Sequence, residues 1–379
     1  MRVLFAGHSL CVPLNQVLCC EIERHGVELT VLAPAEWQAS VGGATPFTRH
    51  EDLRSETLLR PVRFNGKMQL HYYRGLSARD LPVKPDLVFV DEEAYGVATY
   101  QLLRLAQALD VPLVFRTNQN LLKAYPPPFC WMEKAVYRYA PAALPCAEAC
   151  SEVLRAKGYR GRLEVVGFGL DPAVSRPWPT EALRARLGLP PEAFVVGFMG
   201  RFSASKGPMD VVDACLELYR RGAAPYLLMI GAGGQEAELK ARAAELPPGR
   251  AVFPGIVPHG RAAAEHLGCM SVCVVPSRTT ASWKEQFGRV IIEAMASGVP
   301  VIGSDSGNVP VLVEETGGGR VFPEGDVAAL ATTIEALMRD DELTRSLAAT
   351  GQEHVTREYA FGRLAQRMVD VFGEVVAAK

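Results

Sequence analysis

Apolar residues along this chain follow two periods in alternation, and the switches between them mark its elements. Val3–Ala6 is a short continuous apolar run closed by Gly7, as a buried strand would be. Leu14, Val17, Leu18 and Ile22 then share one helical stripe, and Gly26 ends it. Val27, Leu29 and Val31 alternate as a second strand. Such a βαβ opening predicts a parallel, doubly wound sheet. The pattern continues with a strand at Leu87–Val90, a helix carrying Tyr95, Ala98, Leu102, Leu105 and Leu109, and strands at Val111–Phe115 and Leu163–Val166.

A proline-rich linker to Pro179 follows, and the pattern restarts. Strands are expected at Phe194–Phe198, Tyr226–Ile230, Val272–Val275, Val299–Ile302 and Gly317–Phe322, with helices from Asp326 onward. Tyr359, Phe361, Leu364, Met368 and Phe372 give the tail a helical apolar stripe. The class is therefore α/β, with two Rossmann-like domains.

Composition narrows what such a chain does. With 379 residues, 49% of them apolar, there is material for two cores. A net charge of −2 argues against a dedicated nucleic-acid binder. No apolar run reaches the roughly 18 residues of a spanning helix, and MRVLFAGHSL lacks a secretory pattern. The nine cysteines include i, i+4 pairs at Cys146/Cys150 and Cys269/Cys273, but none has CxxC spacing; they read as small buried hydrophobes in a reducing cytoplasm. Residues 38–85 are rich in turn signals and carry eight Lys/Arg against four acids, a balance of +4. A solvated excursion accounts for this, and so does a cationic face for a phosphorylated lipid or an anionic leaflet. Asp91-Glu92-Glu93 after the third strand reads as helix N-capping rather than a metal site, since no DxD pattern is present.

The chemistry concentrates between Pro276 and Ile302. A polar loop leaves one strand, Gly288 opens a helix, and Gly298 closes it before the next strand. Glu285 and Glu293 are separated by seven residues. The amides of Gly288, Arg289 and Val290, with the helix dipole, make an anion site between the two carboxylates. Hydroxyls on both sides of a phosphate suit that arrangement, and a nucleotide diphosphate-sugar has them. Earlier in this half, Gly200-Arg201-Phe202-Ser203-Ala204-Ser205-Lys206-Gly207 places two cations on a glycine-bounded loop, a match for a diphosphate. Gly231-Ala232-Gly233-Gly234 imitates a dinucleotide fingerprint but has Glu236 where its third glycine belongs. It reads as a tight turn.

The spaced glutamates, the EQFG turn and the EAMASGVPVI tail resemble the signature of family 4 retaining glycosyltransferases, which have the GT-B fold. The resemblance is strong over roughly 190–335 and continuous but weaker over 1–175. It implies two Rossmann-like domains facing a cleft: residues 1–172 on the acceptor side, residues 173–355 on the donor side, and a last helix, about 356–379, returning to the first. It also implies that Arg201 and Lys206 neutralise the leaving diphosphate, that Glu293 accepts the ribose hydroxyls, and that Glu285 with Gln286, Phe287 and Gly288 holds the sugar. Gly200 and Gly233 border the donor, and backbone groups at Ile256 and Val257 meet its base. No cofactor and no metal are expected, only a donor such as a UDP- or GDP-sugar and a glycan, lipid-linked or small-molecule acceptor, in cytoplasmic glycan biosynthesis with peripheral membrane contact.

Two positions depart from the family. Gly7-His8-Ser9-Leu10 stands where relatives often carry a glycine pair, and Asn118 stands where many have a histidine. Asn118 can hydrogen-bond a sugar hydroxyl but cannot shuttle protons. The rival readings are a nucleotide-sugar epimerase, a nicotinamide-dependent dehydrogenase, which the incomplete GxGxxG disfavours, and a non-catalytic sugar-nucleotide binder.

Overall fold

The computed structural model describes residues 1–38 and 43–379. It divides into two units, Met1–Gly169 with Phe361–Lys379, and Leu170–Ala360. The basic excursion at 38–85 includes residues 39–42, which lie outside the described residues.

The first unit runs β1 (Arg2–Ala6), α1 (Pro13–Arg24), β2 (Glu28–Pro34), β3 (Glu36–Gln38), β4 (Ala44–Pro46), β5 (Glu56–Arg60), β6 (Val62–Arg63), β7 (Tyr72–Tyr73) and β8 (Leu87–Val90). It continues through α2 (Val97–Leu109), β9 (Leu113–Thr117), α3 (Phe129–Tyr139), β10 (Ala142–Pro145), α4 (Glu148–Ala156) and β11 (Arg162–Leu163). Its seven-stranded sheet has the order β11-β10-β9-β8-β1-β2-β5. Every pairing in it is parallel. Within β1, Val3 and Phe5 enter the core on one face while Leu4 and Ala6 enter the core on the other. A strand covered on both sides must be apolar at every position, which is why the sequence shows runs here rather than alternation.

The second unit runs α5 (Glu181–Arg186), β12 (Val195–Met199), α6 (Pro208–Arg220), β13 (Tyr226–Ile230), α7 (Glu236–Ala243), β14 (Ala251–Gly255), α8 (Arg261–Gly268), β15 (Val272–Val275), α9 (Arg289–Ala296), β16 (Val301–Ser304), α10 (Val309–Thr316), β17 (Gly319–Phe322), α11 (Val327–Arg339) and α12 (Asp341–Glu358). Its parallel sheet is ordered β14-β13-β12-β15-β16-β17. Helix α13 (Phe361–Ala377) then supplies Leu364, Met368, Val371 and Phe372 to the first unit's core, beside α1.

Several expectations are corrected. The last strand of the first half is Arg162–Leu163, not Leu163–Val166: the Glu164 and Val166 amides still donate to the Ala143 and Pro145 carbonyls of β10, but the regular pairing ends at Leu163, and the Val166 and Gly167 carbonyls accept from Arg116. Strand β9 starts and ends two residues later than the apolar run suggests, so Arg116 and Thr117 belong to it. The tail is two helices, because Ala360 bridges to Leu170 and breaks the helical run. The acidic trio caps nothing. Helix α2 starts at Val97 behind Gly96 without a side-chain cap, while Asp91, Glu92 and Glu93 each bond elsewhere.

Candidate active site

In an open parallel sheet, ligands settle outside the carboxyl ends of the strands, where the strand order reverses direction. In the second unit that point lies between β12 and β15, and the loops leaving them are Gly200–Gly207 and Pro276–Gly288. The first loop can lie against the second because Gly207 has φ +62° and no side chain; a Cβ there would meet the Pro276 carbonyl oxygen at 2.0 Å. Gly233 has a similar duty, since its Cβ would lie 2.3 Å from the Phe202 carbonyl oxygen.

This packing joins residues from both loops. Lys206 Nζ donates to Glu285 Oε2 at 2.6 Å, and Ser277 Oγ donates to the same oxygen at 2.6 Å. Lys206 also lies over the Trp283 ring, 4.9 Å from its centroid. Glu285 is buried and Lys206 half-buried. The sequence reading gives these residues separate tasks, diphosphate and sugar, and the structure makes them one ion pair. Arg201 is exposed, and its side chain has no hydrogen bond or ion pair among the described residues. Ser277 and Trp283 escape the sequence reading. Asn308 N donates to the Glu285 carbonyl at 3.1 Å and Asn308 Nδ2 to the Phe287 carbonyl at 3.2 Å, so the loop after β16 holds the EQFG turn from behind. Gly307 makes that approach feasible. A long-range backbone contact of this kind has no local sequence signal.

Gly288, at φ +87°, is the N-cap of α9 and leaves the helix without a side-chain cap. The first-turn amides of Arg289 and Val290 have no partner within the helix, as at any uncapped N-terminus. Glu293 sits on the second turn, half-buried, and pairs with Arg289 at 3.0 Å. Burial raises the Glu293 carboxyl above its ordinary value against the opposing pull of Arg289 and His259. At the end of β14, Gly255 turns the chain at φ +83°, and Ile256 is 70% exposed beside Val257. The structure thus brings Gly200, Lys206, Glu285 and Gln286–Val290 to one sheet edge, with Gly233 packed under Phe202.

Asn118 lies in the first unit, just past β9. Its amide donates to Glu93 Oε1 at 2.7 Å while Thr117 Oγ1 donates to Glu93 Oε2 at 2.6 Å. Burial pushes the Glu93 carboxyl up to about 7 despite both bonds. Nearby, His8 Nδ1 and Glu92 Oε1 are 2.5 Å apart, and His71 Nε2 is 3.5 Å from the same oxygen. Burial opposes charge on His8, but Glu92 outweighs it and the imidazole is raised above its ordinary value.

Residues 179–354 match the family described as glycosyl transferases group 1. That segment contains both loops of the sheet edge just described. The D-inositol 3-phosphate glycosyltransferase of Corynebacterium efficiens is 30% identical over 228 residues, covering 58% of this chain and 52% of that protein. The 2-deoxystreptamine glucosyltransferase of Streptomyces kanamyceticus is 30% identical over 267 residues, 69% of this chain and 66% of that one. The chain thus spans about half the length of the inositol phosphate relatives it matches. Among solved structures, sucrose-phosphate synthase from Thermosynechococcus elongatus has a TM-score of 0.74 at 20% identity, with all of both chains covered. Anabaena HepE in complex with UDP-glucose has a TM-score of 0.70 at 19% identity, covering 99% of this chain and 100% of that one. The fold is GT-B, with two Rossmann-like parallel-sheet units.

Proposed function

We propose that this chain is a retaining glycosyltransferase of family 4 type, moving a hexosyl group from a nucleotide diphosphate-sugar to a glycan, lipid-linked or small-molecule acceptor. The observation that carries this reading is the Lys206–Glu285–Ser277 constellation at the switch point of the second unit, beside the uncapped N-terminus of α9. A cation, first-turn amides and a carboxylate in one place suit a sugar esterified to a diphosphate. Arg201 and Lys206 neutralise the departing diphosphate, and the amides of Gly288–Val290 add donors without charge. Glu293 accepts the ribose hydroxyls, and Glu285 with the Gln286–Gly288 backbone accepts those of the sugar. Asn118 is assigned a hydrogen bond to substrate. Catalysis then rests on positioning and charge stabilisation. With two cations at the diphosphate, no divalent ion is needed there. The GT-B structure of HepE with UDP-glucose supports a UDP-sugar as the first donor to try.

No helix among the described residues is long and apolar enough to cross a membrane. Within the basic excursion, Phe64, Met68 and Leu70 are exposed beside Arg63 and Lys67. Apolar tips among cations suit an anionic leaflet, so peripheral contact on the cytoplasmic face belongs to the proposal.

The test is thermal-shift screening against UDP-, GDP-, ADP- and dTDP-sugars, followed by turnover with the stabilising donor, since a ligand of the folded state raises its stability by mass action. Stabilisation with release of nucleotide diphosphate is expected. Binding without release, in the presence of varied acceptors, would leave a sugar-nucleotide binder.

A further inference from the structure

The first unit has a switch point of its own, between β1 and β8, and its two loops carry His8 and Glu92. His71, which precedes β7, joins them from the excursion. We propose that His8, His71 and Glu92 form a binding site for one divalent transition-metal ion, zinc by preference, which ties the excursion to the edge of the sheet.

Four observations carry the assignment. The ligand atoms offered by the three residues all lie within 4.8 Å of one another, and all three side chains are mostly or fully buried. His71 is fully buried, yet its Nε2 has no hydrogen-bond partner among the described residues. In the neutral ring, Nδ1 donates to the Met68 carbonyl 3.0 Å away, which leaves the Nε2 lone pair facing a carboxylate. In that form two electron-rich atoms face each other in a buried nest, where a metal ion can take the place of a second ring proton, and an imidazole fixed through a backbone carbonyl is the usual preparation of a metal ligand. Glu92 is fixed in the same way, since the His8 amide donates to its Oε1 at 2.7 Å.

The spacing fits as well. Zinc bonds of about 2.0–2.2 Å in a tetrahedron separate neighbouring ligand atoms by roughly 3.3 Å. The His71–Glu92 separation, 3.5 Å, is already near that value. The His8–Glu92 pair, at 2.5 Å, is bridged by a proton; the ion replaces that proton, which leaves to solvent, and the pair opens by less than about 1 Å. Trp37 packs on both imidazoles, its ring centroid 4.5 Å from His8 and 4.9 Å from His71, and shields the site on that side. Two imidazoles and one carboxylate are a borderline donor set that suits zinc over magnesium or calcium, and one position is left for water.

The experiment uses the full chain, purified without a metal-affinity tag and stripped with chelator, then titrated with zinc alone in competition with a chromophoric chelator. Metal content after gel filtration is read by mass spectrometry. About one zinc per chain is expected, with a raised melting temperature. Glu92→Gln and His8→Ala should each weaken zinc at least about 100-fold. His8 is the least buried of the three, so His8→Ala stays informative if the Glu92 variant folds poorly; circular dichroism checks both. Cobalt in place of zinc should give the intense visible bands of a tetrahedral site. No retained metal in the wild type would overturn the proposal in favour of a water-filled nest. Equal zinc binding in the wild type and both variants would overturn it too, placing the ion elsewhere, for example at Cys146 and Cys150.

Discussion

Glu285→Gln tests the donor site most sharply, because the structure gives that carboxylate two neighbours of different kinds. The substitution keeps the side chain's size and an oxygen for Ser277 Oγ, and it removes the charge that Lys206 Nζ meets at 2.6 Å. If Glu285 accepts sugar hydroxyls, each charge-assisted bond lost costs about 1.5–3 kcal/mol. Intact donor should then bind roughly 10- to 150-fold more weakly, or turn over correspondingly more slowly. Free nucleotide diphosphate lacks the transferred hexosyl group and should not suffer. It stands to gain slightly, because Lys206 is released from its carboxylate. Lys206 is about one-third exposed, so the pair is screened and the gain stays within about fivefold. Glu293→Gln provides the contrast: the ribose is common to both ligands, so both should weaken alike. Calorimetry of each variant with UDP and with the intact donor makes the measurement. Equal loss for both ligands in Glu285→Gln would refute the division of labour between the two carboxylates.

Gly307→Ala should abolish donor binding with little loss of overall helicity, since its Cβ would lie 2.1 Å from the Glu285 carbonyl oxygen at φ +58°; calorimetry and circular dichroism separate the two effects. Phe372→Ala in α13 should destabilise the first unit by about 3–5 kcal/mol in urea unfolding, because this ring is fully buried 5.3 Å from Phe89. Asn118→Ala should lower turnover modestly and leave nucleotide affinity unchanged, and Asn118→His should not raise it; steady-state rates beside nucleotide titrations decide this. Turnover should not depend on added magnesium or manganese, and a rate that rises manyfold with either would remove Arg201 and Lys206 from their proposed duty.

The legibility of the sequence varied along the chain for physical reasons. The stretch from Val272 to Ile302 was readable because a buried strand, a left-handed glycine and an amphipathic helix each leave a local mark. Helices α3 and α4 and strand β10 escaped notice: β10 is only AALP, with weak strand formers and a final proline, and three prolines precede α3. Glu285 was recognised from its spacing, but its pairing with Lys206 joins residues 79 apart. His71 carried no signal, since its partners are His8 and Glu92, brought together by sheet order alone.

Helix α13 makes the first unit discontinuous in the chain, and this governs the order in which the protein can be made. While a ribosome delivers residues 1–169, the face of the sheet bearing Val3, Phe5 and Phe89 has no Leu364, Met368 or Phe372 to cover it. The second unit, residues 170–360, is contiguous and emerges whole before that cover arrives. The half synthesised first is therefore the half completed last. A nascent or truncated chain ending before Phe361 would expose an apolar sheet face, the kind of surface that chaperones bind and that aggregation follows. Removing the last 19 residues should thus damage the unit at the opposite end of the sequence, leaving the adjacent one folded.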